Sequence, residues 1–399
     1  MSCFQFSTNP IELLFYGLSL LQAYRGVQLA QIIWRERQDF QQEPLTRRKA
    51  ALGEQAAFFL AIPPSVALHE FSHALAIWGF GGRVVRCGYG FYWGFVQANQ
   101  MFPVSQEWFI ALAGTLGSLL FGLGLWLVLR QHRSSAVRFF ALRSLRTQLF
   151  YALIFYPVFS AATFIGDWRT IYNFRLTPFL SGLILVLHGV GLGAMWYGQK
   201  QGWFEMEQAD SLAEQARLRQ WEAAAQANPQ DAALQLRYIR ALRQSGAARQ
   251  TFDLLTRFLQ NFPQSAEGHL ELALLQRQNT ASPSRAVLQT LEKAVTLGLH
   301  EAPALVTAHS ILGEHYLGIN PVEAYHHLSQ AILAAATLPD STPNKLPHLA
   351  HLYYLRSKAN QLQNASPQAR ADLDEAIDLA RRSGRTEQLA TYQKHKQFL

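Results

Sequence analysis

Long apolar segments, separated by short connections, dominate the first 200 residues of this chain. Trp108 to Leu129 is a run of 22 residues without a charged side chain, and Pro178 to Trp196 is a run of 19. Leu149 to Ile165 is a shorter run of 17 residues. Since a helix needs about 20 apolar residues to cross the hydrocarbon core of a bilayer, these three runs predict membrane-spanning helices.

Two further segments have the length of a span but a more polar composition. Gln55 to Phe80 contains two histidines and a glutamate, which are costly in lipid and must therefore face protein or trapped water. Within it, the pair Pro63-Pro64 either kinks the helix or marks its start. Ile11 to Trp34 predicts either an additional span or an amphipathic helix at the membrane interface. The first half thus predicts a polytopic membrane bundle of about four to five helices.

The connection from Gly81 to Ser105 has a different character. It is rich in glycine and aromatic residues, and apolar and polar side chains alternate along part of it. Alternation with a period of two residues is typical of β-strands. We therefore expect a short β-like element here, either a β-hairpin or a loop that dips back into the membrane edge.

The charge distribution supports the membrane interpretation. Residues 1–200 carry 16 Lys and Arg against 8 Asp and Glu, whereas residues 201–399 carry 19 of each, so the net charge of +8 lies in the apolar half. A basic nucleic-acid-binding domain would spread this charge over a soluble surface, so no nucleic-acid partner is expected. Because basic loops stay on the cytoplasmic side, the two most basic connections and the C-terminal half are predicted to be cytoplasmic.

The cysteine content and the N-terminus exclude two other classes of protein. Cys3 and Cys87 are too few for a disulfide scaffold or a Cys-rich zinc module. The first residues lack the basic segment of a cleavable signal peptide, and Glu12 interrupts their apolar run. We therefore expect an integral, multi-pass membrane protein without such a peptide.

The composition changes near Trp203 to Ala, Leu, Gln and Arg with helical spacing. Asn228-Pro229-Gln230 and Phe262-Pro263-Gln264 lie 34 residues apart, which is the period of tetratricopeptide helix pairs. We expect a soluble tetratricopeptide-like α-solenoid that binds a cytoplasmic protein partner, with an irregular helical bundle as the alternative. Further residues that fit the repeat are Leu312, Gly313, Tyr316, Ala324, Ala331, Ala369 and Ala376.

Together these patterns predict an all-α chain with three parts. Residues 1–50 form an N-terminal amphipathic or membrane helix with a basic linker. Residues 51–200 form a membrane-embedded domain that carries the candidate chemistry, and residues 201–399 form the repeat domain. The histidines of the repeat domain are expected to be surface or packing residues. His326 and His327 are adjacent, so they point to different helical faces and make a poor metal pair.

The strongest chemical pattern is the run His69-Glu70-Phe71-Ser72-His73. On a helix, positions i and i+4 share a face, so both imidazoles can bind one metal ion while Glu70 accepts a proton from a nearby water. With 13 histidines and 18 glutamates in 399 residues, chance produces this pattern about 0.02 times per chain. The apolar context also argues against a packing role, because burying these side chains without a ligand is costly. The pattern predicts a zinc site.

A hydrolytic zinc site needs a third protein ligand besides two imidazoles. Asp167 directly follows an apolar run, where a cation would stabilise its carboxylate; the alternative is an exposed aspartate or a pair with Arg169. His188, inside the last apolar run, is a fourth ligand, part of a substrate path, or a hydrogen-bonded packing residue. The remaining acidic candidates are Glu12, Glu36, Asp39, Glu43, Glu54 and Glu107.

These motifs resemble those of the site-2 protease family of intramembrane zinc metallopeptidases, over about residues 50–200. The His-Glu-x-x-His helix is followed by small and apolar residues that lead into the glycine-rich loop, as in that family. Ala113 to Ser118, Ala-Gly-Thr-Leu-Gly-Ser, is similar to the family's Ala-Gly-x-x-x-Asn helix. Asp167 lies 94 residues beyond His73, in the place of the family's third zinc ligand.

The resemblance implies one zinc ion per chain, bound by His69, His73 and Asp167, with Glu70 as the catalytic base. It implies substrate-binding roles for Gly114 and Ser118, to which we add His188 as a substrate-path residue. The predicted function is hydrolysis of peptide bonds in or near transmembrane segments of membrane-anchored proteins, with the repeat domain docking a partner or a substrate tail.

Two departures from the family pattern favour an alternative function. Ser118 stands where the family often has asparagine, and Trp168 follows Asp167 where glycine is common. The hydroxyl of Ser118 could only partly replace the hydrogen bonds of an asparagine amide, and the indole of Trp168 could narrow the space beside Asp167. The alternative is a catalytically inactive, membrane-anchored tetratricopeptide scaffold with a structural metal site. The intact base and ligand set favour the protease.

Overall fold

The computed structural model describes residues 10–163, 165–277 and 283–397, with side chains from residue 16 onward. This part of the chain is nearly all-α, as predicted, and contains a single two-stranded sheet. It divides into two compact units. The first unit comprises residues 1–220 with 244–249, and the second comprises residues 221–243 with 250–399.

The first unit contains long helices, a β-hairpin and a π-helical turn. The hairpin follows the fourth helix, and the π-helical turn, Tyr151–Phe155, follows the sixth. The elements in chain order are α1 (Pro10–Arg35), α2 (Arg37–Phe40), α3 (Arg47–Phe59), α4 (Ile62–Gly79), β1 (Val84–Tyr89), β2 (Gly94–Ala98), α5 (Val104–Leu129), α6 (Ser135–Phe150), α7 (Tyr156–Thr163), α8 (Asp167–Ile171), α9 (Pro178–Lys200) and α10 (Leu212–Ala227), which runs across the division.

Three helical segments within the described residues are long and apolar enough to cross a membrane: Arg47–Gly79 (α3 with α4), Val104–Leu129 (α5) and Pro178–Lys200 (α9). The sequence predicts four to five. The predicted run Leu149–Ile165 does not form one continuous α-helix, because the π-helical turn divides it and α7 ends at Thr163; residue 164 lies outside the described part. The run Ile11–Trp34 falls within α1.

The proline pair marks the start of α4, which is one of the two alternatives raised by the sequence. A break at Leu60 and Ala61 separates α3 from α4, and both prolines lie in the first turn of α4. Prolines are tolerated there because the first N–H groups of a helix have no helical acceptor. The motif helix is therefore the short segment after this break.

The hairpin is fastened to the break by two tyrosines. Pro63 has no N–H to donate to the carbonyl of Phe59, four residues earlier, and the Tyr92 hydroxyl donates to that oxygen instead, at 3.1 Å. The Tyr89 hydroxyl donates to the carbonyl of Pro63 at 2.8 Å. These bonds hold the hairpin beside the first turn of α4.

The glycine-rich connection forms the β-hairpin that was one of its two predicted structures. Strands β1 and β2 pair antiparallel, with Gly88 opposite Phe95 and Tyr89 opposite Gly94, and a bulge interrupts the register between Val84 and Arg86. Both strands contact α4. The alternation in sequence therefore indicates strands, and their position places β2 along the motif helix.

Small residues allow α4 and α5 to pack closely. A Cβ atom added at Gly117 would lie 2.9 Å from the Cβ of Ser72 and 3.0 Å from the carbonyl oxygen of Leu68. Across the bundle, the Ser65 hydroxyl of α4 donates to the Gln148 amide oxygen of α6 at 2.8 Å, and both residues are buried. Helix α5 also packs against α8, which begins at the candidate third ligand.

The second unit consists of helices that pack on their neighbours in the chain. From α13 onward each helix contacts the next, which is the arrangement of an α-solenoid. Small residues that fit the repeat pattern are buried; Ala324 and Ala376, for example, have no exposed surface. The helices are α11 (Ala232–Gln244), α12 (Ala248–Asn261), α13 (Ala266–Arg277), α14 (Arg285–Thr296), α15 (Ala302–Tyr316), α16 (Pro321–Ala336), α17 (Lys345–Leu362), α18 (Ser366–Arg382) and α19 (Thr386–Lys396).

The division between the units lies beyond the composition change near Trp203. The connecting segment after α9 packs on the first unit: the Ala209 N–H donates to the Leu45 carbonyl at 3.0 Å, and Arg47 pairs with Asp210 at 2.8 Å. The residues around 201–210 therefore belong structurally to the first unit, although their composition differs from it.

Gly117→Ala tests the close helix packing. The new methyl group would overlap Ser72 and the Leu68 carbonyl, so we expect a loss of about 1–3 kcal/mol of stability, measured by thermal unfolding in detergent. Gly124→Ala on the same helix is the matched control, because nothing lies within 4 Å of its added Cβ. Equal melting temperatures for the two variants would contradict the packing described.

Candidate metal centre

Helix α4 places the two motif histidines on one face. The Nε2 atoms of His69 and His73 lie 3.1 Å apart, and their rings are nearly perpendicular at 84°. His73 is buried and His69 is half-buried. The spacing i, i+4 produces this arrangement directly, because residues four apart lie one above the other on a helix.

Asp167 reaches the two imidazoles from the start of α8. Its Oδ2 atom lies 3.0 Å from His69 Nε2 and 3.1 Å from His73 Nε2. The preceding Gly166 has φ +108°, a conformation that side chains rarely adopt, and an added Cβ would lie 2.6 Å from the Ser160 hydroxyl. A glycine is thus needed immediately before Asp167 for the chain to present this carboxylate.

The three atoms lie close enough together to share one small metal ion, although they are slightly nearer to one another than the ligands of a bound zinc ion. His69 Nε2, His73 Nε2 and Asp167 Oδ2 are separated by 3.0–3.1 Å. Two ligands of a tetrahedral zinc ion with bonds of about 2.0–2.1 Å lie about 3.3–3.4 Å apart. Within the described residues, His69, His73 and Asp167 are the group of three potential ligands whose ligand atoms already lie within 4.8 Å of one another.

Outer partners orient all three side chains. His73 Nδ1 donates to the Ile110 carbonyl at 2.7 Å, and His69 Nδ1 lies 3.3 Å from the Ser118 hydroxyl. The Tyr156 hydroxyl donates to Asp167 Oδ2 at 3.0 Å and accepts from the Asp167 N–H at 3.2 Å. Such partners are typical of metal ligands, since they fix the tautomer of a histidine and the orientation of a carboxylate.

Gly114 keeps the space beside the imidazoles open. A Cβ added there would lie 2.6 Å from His69 Nε2 and 2.5 Å from His73 Cε1. Any side chain at this position would occupy the point on which the ligand atoms converge. The structure therefore places Gly114 and Ser118, which were predicted to bind substrate, directly against the two histidines.

Glu70 lies on the hairpin side of α4. A Cβ added at Gly94, the first residue of β2, would lie 2.8 Å from the Glu70 Oε1 atom. Glu70 is half-buried and interacts electrostatically with His69, His73 and Asp167. Its carboxylate is thus held between the ligand group and the start of β2.

The structure does not bring His188 to the ligand group. Its Nδ1 atom bonds the Tyr172 hydroxyl, and its Nε2 atom lies 2.6 Å from the Leu153 carbonyl oxygen. Of the roles considered from the sequence, the hydrogen-bonded packing residue matches these contacts. Trp168 contacts it with the rings tilted by 42° and their centroids 4.7 Å apart, and is buried in a cluster with Trp108. The indole next to Asp167 therefore packs α8 against α5.

The other acidic candidates for a third ligand are occupied elsewhere or lie outside the ligand group. Four of them pair with basic residues of the first unit. Glu107 is in the first turn of α5, and the side chain of Glu12 lies outside the described part. The pairs are Glu36 with Arg48, Asp39 with Lys49, Glu43 with Arg138 and Glu54 with Arg143.

Tyr156 is the member of the site that sequence reasoning missed. It lies 11 residues before Asp167 inside an apolar run, where a tyrosine does not stand out. It directly follows the π-helical turn Tyr151–Phe155, which changes the face on which later residues lie. Tyr151 lies in the same run, so the sequence holds no signal that selects Tyr156.

Comparisons with known proteins add little to this geometry. No protein-family model matches the chain, and no curated protein matches it. A solved structure titled "Crystal structure of MamA" is similar to part of it, with 15% sequence identity and a TM-score of 0.31, covering 43% of this chain and 91% of that chain. A TM-score this low supports no conclusion about fold or function.

Gly114→Ala tests the open space at the ligand group. Because the methyl group would fill the point of convergence, we expect the variant to lose high-affinity binding of one Zn²⁺ or Co²⁺ per chain, measured by metal titration of the purified protein. Gly193→Ala on α9 is the control, since nothing lies within 4 Å of its added Cβ. Undiminished metal binding by Gly114→Ala would contradict this account.

Proposed function

We propose that this chain is an intramembrane zinc metalloprotease similar to the site-2 proteases. The observation that carries the proposal is the convergence of His69 Nε2, His73 Nε2 and Asp167 Oδ2 within 3.1 Å of one another. Glu70 follows His69 directly and is held beside them. This is the ligand set and base expected of a hydrolytic zinc site that leaves the fourth position open.

The proton positions support a cation at the centre. His73 gives its Nδ1 hydrogen to a carbonyl oxygen, so the neutral ring offers a lone pair at Nε2. An ionised Asp167 carboxylate also offers only lone pairs. His73 Nε2 and Asp167 Oδ2, 3.1 Å apart, would then repel each other unless a proton or a cation lies between them. A shared proton relieves one contact of this kind, whereas one divalent ion relieves all contacts among the three atoms.

A multi-pass membrane setting fits the surface of the first unit. Helices α5 and α9 have the length and composition of spans, and both leave large apolar side chains exposed. Helices that expose many large apolar side chains are typical of contact with lipid. We therefore propose the lipid bilayer as the surroundings of this unit. Exposed residues include Leu120, Val128, Phe179, Val186 and Val190.

The proposed chemistry assigns a separate task to each residue. Zinc held by His69, His73 and Asp167 would supply Lewis acidity, polarising a peptide carbonyl and lowering the pKa of a water to about 7. Glu70 takes the proton of the attacking water and delivers it to the leaving nitrogen. Tyr156 keeps Asp167 oriented, and the buried position of His73 limits the access of further water.

The hairpin provides a place for an extended substrate. Strand β2 has one unpaired edge in its two-stranded sheet, and its first residue, Gly94, lies against Glu70. A peptide bond inside a helix is shielded, so a transmembrane segment must unwind before it is cut. An unwound segment can add to the edge of β2 by main-chain hydrogen bonds, which would fix its register. The proposed substrates are therefore membrane-anchored proteins.

The second unit is proposed to bind a cytoplasmic protein or the soluble tail of a substrate. Its stacked helices give the extended surface that α-solenoids use for partners. The period of 34 residues in the sequence supports the tetratricopeptide class for these helices. A scaffold with a structural metal site is the competing function, and the following experiment separates the two.

Glu70→Gln should abolish proteolysis while zinc remains bound. The amide keeps the shape of the side chain but cannot accept the proton, and loss of a general base lowers the rate about 10²–10⁴-fold. The measurement is cleavage of a model transmembrane substrate in vesicles, with zinc content by atomic absorption. Glu107→Gln, an acidic residue outside the ligand group, is the control. Full cleavage by Glu70→Gln would refute the proposal, and an unmodified chain that binds zinc without cleaving would favour the scaffold.

Tyr156→Phe should weaken zinc binding without removing a ligand. The variant leaves Asp167 without its hydroxyl partner, and loss of an outer partner typically lowers metal affinity about 10–100-fold. Competition with a zinc chelator measures this affinity. Tyr151→Phe removes a hydroxyl one turn earlier and should leave the affinity unchanged. Equal affinities for the two variants would show that the Tyr156 contact does not orient a ligand.

A further inference from the structure

Two histidines of the second unit meet between neighbouring helices. His309 of α15 is 6% exposed, and its Nδ1 atom lies 2.9 Å from Nδ1 of His327 of α16. Their ring centroids are 5.2 Å apart. His326, the neighbour of His327 in the chain, is exposed. The pair therefore joins residues 18 apart on facing helices, not the adjacent histidines considered from the sequence.

Acidic groups face this imidazole pair. Glu323 lies one turn before His327 on α16, and both Glu323 and Glu292 of α14 interact electrostatically with His327. The Tyr316 ring stacks on His327 with centroids 5.8 Å apart, and its hydroxyl donates to Glu292 at 2.5 Å. These carboxylates offset only part of the cost of placing a positive charge between the two rings, because burial, the larger effect, lowers the pKa of both imidazoles.

We propose that His309 and His327, with Glu323 as the carboxylate ligand, form a second metal site for a divalent transition-metal ion such as zinc. Imidazole and carboxylate ligands suit such ions. The Nδ1 atoms, 2.9 Å apart, would have to separate slightly to reach the roughly 3.3 Å between two ligands of a tetrahedral ion. Glu323 and His327 have the spacing i, i+4 that places them on one face of α16. The Glu323 side chain is exposed and would have to change its rotamer to reach the rings.

The site would clamp α15 to α16 within the solenoid. It is built from residues of the second unit alone and is independent of the ligand group that contains Asp167. Metal binding at this place would add an interaction that the unfolded chain lacks, so it would stabilise the folded unit. A single hydrogen bond between two neutral imidazoles is the competing explanation of the short distance.

The test is a zinc titration of the full-length protein in detergent. His73→Ala with Asp167→Ala provides a background in which the first ligand group has lost two of its three members. We expect this background to bind one Zn²⁺ per chain. Adding His309→Gln or His327→Gln should lower the affinity at least about 100-fold, since loss of an outer partner alone lowers it about 10–100-fold. His326→Gln is the matched control and should have no effect.

A background protein that binds no zinc, or binds it equally well with His309→Gln, would overturn the proposal in favour of a hydrogen-bonded imidazole pair. A second measurement, the number of zinc ions bound by the otherwise unaltered chain, does not depend on the folding of the double variant. In the otherwise unaltered chain, His309→Gln should reduce bound zinc from two equivalents to one. One equivalent that is lost with Asp167→Ala but not with His309→Gln would overturn this second site and leave the first intact.

Discussion

The close approach of α4 and α5 is the constraint on which the first unit depends. Gly114 and Gly117 present bare backbone at the contact, so the imidazoles of α4 stand directly against α5 and one of them reaches a main-chain carbonyl. Small residues at such contacts are typical of helices that pack in lipid, where van der Waals contact replaces the hydrophobic effect. The same residues that permit packing also keep the ligand atoms uncovered.

The third ligand depends on a longer chain of interactions. A π-helical turn, a tyrosine and a glycine with positive φ together bring Asp167 to the imidazoles, and the buried indole of Trp168 anchors α8 behind it. The residue after the aspartate, which departs from the family pattern, thus supports the position of the carboxylate. A bulky neighbour on the buried side of α8 does not by itself narrow the space in front of the histidines.

Local and non-local features differ in how far the sequence predicts them. The pairing of His69 with His73 follows from helix geometry alone, and the helical character and the hairpin follow from periodicity. Asp167 was one of several acids until a family resemblance selected it, because residues 94 apart meet only through tertiary structure. Tyr156 depends on the register after the π-helical turn, and the contact of His309 with His327 depends on how two helices face each other. Neither the role of Tyr156 nor the contact of the two histidines produces a recognisable pattern in the local sequence.

The two tyrosine bonds between the hairpin and the proline break have a mechanical consequence. Lifting the hairpin away from α4 would uncover the Phe59 carbonyl, which the helix cannot satisfy because Pro63 lacks a hydrogen. In surroundings poor in water, an orphaned carbonyl raises the free energy by about 1–3 kcal/mol. The hairpin is therefore fixed to α4 and cannot open as a mobile flap without breaking these bonds. A force applied to the hairpin would act directly on the first turn of the helix that bears the histidines.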